Sequence, residues 1–160
     1  MSDTIHFRSK EFQLFIDEPL RKFACQSVDY FLEKNTPVKH NQLKAIPSVI
    51  AGGKFAALQR LIESQRQKNT KKDNKPFWEF LHQNLIQTQQ VTEYSLYHFL
   101  RKQPFIASQL SDETAAETRV QRKKMKKENN KIIDPYMEQL ISIFFEHFNC
   151  HYFYQTQGLS

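Results

Sequence analysis

Three glycines in 160 residues, Gly52, Gly53 and Gly158, constrain this chain more than any other feature. Folds that cradle phosphates need glycine where the backbone turns tightly or approaches the ligand, and neither GxGxxG nor the P-loop pattern GxxxxGK can be written here. Sandwiches and barrels consume Gly, Pro and Asn in turns every eight to twelve residues or so, a density this chain lacks. The sequence therefore predicts an all-α fold, a compact bundle of about five to six helices.

The length is that of one domain with a core, so residues 1–160 are expected to form a single helical domain. An apolar fraction of 39% with 14 Phe, 6 Tyr and 1 Trp is too high for a disordered chain, and a mean hydropathy of −0.66 leaves a very polar surface. No stretch approaches the roughly 20 apolar residues of a membrane helix, and the first ten residues hold no apolar signal-peptide core. A cytoplasmic protein without a membrane partner is expected, with Cys25 and Cys150 as free thiols.

Helical spacing marks the elements. Phe12, Ile16, Leu20, Phe23, Ala24, Ser27, Val28 and Phe31 form one stripe, restarted at Asp17 and Pro19 and ending near Asn35. Thr36 and Pro37 read as a cap opening a second helix through Val38, Leu43, Ile46, Val49 and Ile50, kinked by Pro47. Gly52 and Gly53 are expected to break the chain before a third helix on Phe55, Leu58, Leu61 and Ile62. Residues 65–75 read as a flexible basic loop. Asp73 or Asn74 then caps a helix carrying Phe77, Phe80, Leu81, Leu85 and Ile86, and Thr92 opens a short one ended by Pro104. Ser111 with first-turn acids opens a charged segment, 111–131, that either projects as a basic helix or orders on binding. A last core helix begins at Pro135 and carries Met137, Leu140, Ile141, Phe144, Phe145, Phe148 and Tyr152.

The net charge of +6 is unevenly placed. Residues 39–75 hold nine basic and two acidic side chains, and 119–131 hold seven and one, while 76–118 and 132–160 each carry a net charge of −3. Arg119, Arg122, Lys123, Lys126 and Lys127 fall at i, i+3, i+4, i+7 and i+8, one stripe on a helix of 3.6 residues per turn. Such a stripe tracks a phosphate backbone, giving sequence-independent, salt-dependent binding. Lys39, Lys44, Lys54, Arg60 and Arg66 in the earlier block are further candidate phosphate contacts. The competing reading of any charge run is a solvated face, and most aromatics sit at core spacing rather than free for base stacking.

Chemistry beyond binding finds little support. His147, Cys150 and His151 share a helix face at i, i+3 and i+4 and are weak candidates for a zinc site, with no second ligand pair of matching spacing. No metal and no cofactor is therefore expected. Cys25 with a histidine is a conceivable nucleophile pair, but nothing positions the two. Helical ribonucleases of the HEPN type carry an Arg four to six residues before a His. None of His6, His40, His82, His98, His147 and His151 has one. A non-catalytic protein is expected.

The C-terminal YMEQLISIFFEHFNCHYFYQTQG resembles the closing helix of the small helical subunit of type III-A CRISPR effector complexes, matching at Tyr136, Met137, Glu138 and Leu140, with Ile141 conservative. NTPVKHNQLKAIPSVI is similar to that family's capped, basic second helix, and LKAIPSVIAGGKFAALQRL looks like the corresponding subunit of type III-B complexes. The chain departs from the pattern at Phe144 and Phe145, at Pro47 and in its longer basic segment. The resemblance implies a non-catalytic RNA-binding subunit of a ribonucleoprotein complex in antiviral defence. It would stack in several copies beside other effector subunits and hold guide RNA and target RNA through phosphates. The alternatives are a free-standing helical DNA- or RNA-binding regulator, a protein-interaction adaptor, and a metal-dependent enzyme built on His147, Cys150 and His151.

Overall fold

The computed structural model describes residues 9–38, 41–68 and 74–157, without the side chains of residues 41, 42, 53 and 54. Among the described residues the chain is all-α and has no strand. Seven α-helices follow in order: α1 Lys10–Phe15, α2 Arg21–Lys34, α3 Asn41–Lys68, α4 Lys75–Leu81, α5 Leu96–Arg101, α6 Pro104–Ala107 and α7 Arg119–Gln155.

The breaks expected at Pro19, at Gly52–Gly53 and before Pro135 are absent. Pro19 does not restart a helix; it sits in a π-helical turn, Ile16–Leu20, that joins α1 to α2, where Arg21 Nε donates to the Asp17 carbonyl at 3.0 Å. Pro47 and the Gly52–Gly53 pair lie inside the continuous 28-residue α3. The third interruption, at Pro135, is also only apparent: the charged segment and the last core helix are one 37-residue helix, about 55 Å long. Its cap is not Ser111 but Thr118, whose Oγ1 accepts from Gln121 N at 3.1 Å while Gln121 Oε1 accepts from Glu117 N at 3.0 Å. Residues 111–118 are irregular apart from one 3₁₀ turn, Glu113–Ala115. Finally, α5 ends at Arg101, just before Pro104 as expected, and Pro104 itself begins α6.

Smaller boundaries shift too. Residues 36–38 are not helical, and α5 is capped by Ser95 rather than opened at Thr92. Residues 65–68 of the expected loop belong to α3, and 69–73 lie outside the described residues.

The core explains why the weak helix formers are carried. A proline inside a helix costs about 3 kcal/mol and a glycine about 1, relative to alanine. In α3, Leu43, Ile46, Ile50, Leu58 and Ile62 are buried to 4% exposure or less, each worth roughly 1.5–3 kcal/mol. Burial on one continuous stripe outweighs the breakers. One buried cluster takes side chains from all seven helices.

The axis of the molecule is the C-terminal part of α7. Helix α2 runs parallel to it, with Phe23 against Phe144 at 6.0 Å and His151 Nε2 against Asp29 Oδ1 at 2.7 Å. Helix α3 runs antiparallel, with Tyr152 donating to the Val38 carbonyl at 2.7 Å and Phe55 N donating to Glu138 Oε2 at 3.3 Å. The expectation that aromatics form the core holds: every phenylalanine among the described residues is buried or packed on the core, and Tyr154 is the exposed aromatic. Among the described residues no helix is long and apolar enough to cross a membrane.

Candidate nucleic-acid interface

The two parts of α7 have opposite environments. From Ile133 onward, Tyr136, Met137, Leu140, Ile141, Phe144, Phe145, Phe148 and Tyr152 are buried. From residue 117 to residue 128 every side chain is exposed except Met125, which is half-buried. The basic segment is therefore a helix exposed on every face but that of Met125.

A cluster of polar side chains holds the helix where it leaves the core. Asn129 is fully buried; its Oδ1 accepts from Ser111 N at 2.9 Å, and its Nδ2 donates to the Ser111 carbonyl at 3.0 Å and to Glu113 Oε2 at 2.8 Å. Glu113 also receives Arg101 Nη2 at 2.8 Å. Burial pushes the Glu113 carboxyl up, but the bonds from Asn129 and Arg101 outweigh it and hold it below its ordinary value. One position along α7, Asn130 receives the Tyr97 hydroxyl. Arg101 lies over the Tyr97 ring, 5.6 Å from its centroid.

On the basic segment, Arg119, Arg122, Lys123, Lys126 and Lys127 are all exposed. Their 100° increments confine them to an arc of about 140°, over about 12 Å of axis. Among the described residues none of the five forms an ion pair. Lys124 and Lys131 widen the basic face. At its foot a polar recess of about 420 Å³ is lined by Lys126 with Arg101, His98, Tyr97, Gln89 and Asn130 among others. His98 sets its Nε2 2.6 Å from the Thr88 carbonyl. Burial lowers its pKa further than that contact raises it, and Arg101 and Lys102 act in the same lowering direction, so it lies below the ordinary histidine value.

The earlier basic block is described only in part. Lys39 lies outside the described residues, as does the side chain of Lys54. Lys44 and Arg60 are exposed on α3, but 16 positions apart they point about 160° away from each other. Arg66 is not a free cation. Its Nη1 lies 2.8 Å from Glu63 and its Nε 3.1 Å from Glu79, and the bond to Glu79 raises its pKa. Glu79 stands 13 residues away on another helix, so its pairing with Arg66 has no sequence signature.

The three metal candidates all lie on one face of α7, but their surroundings differ. His151 meets Asp29, Cys150 is exposed, and His147 Nε2 is buried without a partner. Among the described residues no group of three His, Cys, Asp or Glu side chains comes together as a metal site. Cys25 is half-buried, and burial pushes its thiol up.

No family model, curated protein or solved structure matches this chain. The fold and the site define a class by themselves, an all-helical protein with a core-anchored helix whose basic N-terminal turns stand clear of the body.

Proposed function

We propose that the protein is a non-catalytic RNA-binding subunit of a ribonucleoprotein complex, holding RNA through sequence-independent phosphate contacts. The observation that carries this reading is the run of five exposed cations on one arc of the basic part of α7, none of them in an ion pair among the described residues. Cations that neutralise phosphates release condensed counterions, and exposed side chains on a rigid helix do so without paying to leave a protein partner. The buried state of nearly all aromatics leaves few rings for stacking on bases, which favours backbone holding over base reading.

The resemblance of the closing helix to small subunits of type III CRISPR complexes narrows the proposal to guide and target RNA, neighbouring effector subunits and stacked copies of the chain. Of the expected contacts, Arg119, Arg122, Lys123, Lys126 and Lys127 carry the proposal, since Arg66 is already shared between two carboxylates. The deciding experiment is affinity purification of the tagged protein from its native host under low salt. Co-purification of short RNA of uniform length with larger subunits is the expected result. Recovery of the protein alone, free of nucleic acid, overturns it.

A further inference from the structure

Helix α7 is bipolar. Its turns before residue 132 carry a net charge of +6, whereas from 132 to the end of the chain there are three acids and no Lys or Arg. Beside this acidic part, on the side of α3, runs a half-open groove of about 650 Å³. Its floor and walls are apolar at Ile50 and Ala51 of α3 and at Phe145 and Phe153 of α7. Glu138 and Glu146 stand along it, and no Lys or Arg lines it among the described residues.

Three observations bear on what fits there. The α7 side of the groove runs from Glu138 to Phe153, about 22 Å or four helical turns, the length of a docked helix of about 15 residues. Ala51 and Ser142 are short side chains facing it, so a third helix can approach both α3 and α7 at ordinary packing distance. Asn149, which lines the groove, is 9% exposed, and its Oδ1 has no hydrogen-bond partner. A buried acceptor without a donor calls for one from outside.

We infer that the groove between α3 and the acidic part of α7 is a docking site for a basic amphipathic helix of a partner protein. Its apolar residues at i, i+3/i+4 and i+7 fill the trench over Ala51 and Ser142. Its Lys or Arg side chains meet Glu138 and Glu146 and supply a donor to Asn149. A second copy of this chain is a poor occupant: the apolar residues of its basic segment, Val120 and Met125, lie about 140° apart and form no stripe. This site is distinct from the phosphate stripe and does not depend on it.

The test uses two synthetic helical peptides of about 18 residues with identical Leu anchors, one flanked by Lys and one by Glu, titrated against the full chain by fluorescence anisotropy. The Lys peptide is expected to bind, the Glu peptide about tenfold or more weaker. Ser142→Trp, which fills the trench, and Glu146→Lys, which reverses its charge, each weaken the Lys peptide by about tenfold; both positions are exposed, so folding is kept. Bound Lys peptide slows alkylation of the exposed Cys150. Replacing Lys126 and Lys127 with alanine leaves peptide binding unchanged, which separates this site from the RNA reading. No binding of the Lys peptide, equal binding of both peptides, or undiminished binding to Ser142→Trp overturns the inference. Self-association of the chain that Ser142→Trp abolishes overturns it in favour of a second copy.

Discussion

The side chain of Asn129 grips both backbone groups of Ser111, accepting from its nitrogen at 2.9 Å and donating to its carbonyl at 3.0 Å. This two-point contact spans 18 residues of sequence and lies where α7 passes from core to solvent. It helps fix the direction in which the basic turns leave the body, because every side chain from residue 117 to residue 128 is exposed except the half-buried Met125.

Asn129→Ala leaves the Ser111 groups and Glu113 without their partner. Unsatisfied buried groups of this kind cost about 1–3 kcal/mol each, so the variant should lose at least about 2 kcal/mol in denaturant titration. Amide exchange should rise most between residues 117 and 133. An unchanged midpoint would show that Asn129 holds nothing.

The Glu113 carboxyl gives this junction a pH dependence. Its folded pKa is lowered from an ordinary 4.5, so the folded state binds fewer protons there than the unfolded chain does. The contribution is complete above that ordinary value and fades as pH falls through the lower folded value. The stability advantage of the wild type over Glu113→Gln should therefore be constant near neutral pH and shrink below about pH 4.5. A gap that stays constant down to about pH 3 is the contrary result.

Tyr152 titrates at the other end of the scale. Burial pushes its hydroxyl from 10.0 up to about 12, and it donates to the Val38 carbonyl across 114 residues of sequence. Tyr152→Phe strands that carbonyl and should cost about 1 kcal/mol at neutral pH. Because the folded state keeps the proton while the unfolded chain releases it, the wild type loses stability above about pH 10 and the variant does not. The two unfolding curves should meet and then cross as pH rises from 10 toward 12.

What the sequence revealed was local in character. The basic stripe and the aromatic stripe of the last helix depend on spacings of three and four, and both stand in the structure. The breakers misled because their cost is paid per residue, while the return on a continuous helix comes from distant partners. Pro47 and Gly52 are tolerated by the burial of Leu43, Ile46, Ile50, Leu58 and Ile62 against other helices. Ser111 looked like a cap because serine before acids is one in most contexts; here its backbone is claimed by Asn129. The pairing of Arg66 with Glu79 and the groove between Ala51 and Ser142 join separate helices and leave no mark on sequence spacing.

Gly52 offers a direct check on that account. It is exposed inside α3, and a Cβ built on it meets nothing within 4 Å. Gly52→Ala should raise stability by about 0.5–1 kcal/mol, since alanine keeps the helix and restricts the unfolded chain. Destabilisation would mean that the glycine serves a conformation other than the continuous helix.

The stripe itself makes the most exacting prediction. Each phosphate contact on single-stranded nucleic acid contributes about −0.7 to the slope of log K against log salt, so five contacts give a slope near −3.5. Replacing Arg122, Lys123, Lys126 and Lys127 with alanine should bring that slope close to −0.7 and weaken binding by a similar factor for unrelated RNA sequences. Because all four side chains are exposed and form no ion pair among the described residues, stability should change by no more than about 0.5 kcal/mol per site. Asn129→Ala acts differently. It leaves every cation in place but loosens the helix that aligns them, so it should reduce affinity while largely preserving the salt slope. Equal salt slopes for the wild type and the four-site variant would remove α7 from the RNA path altogether.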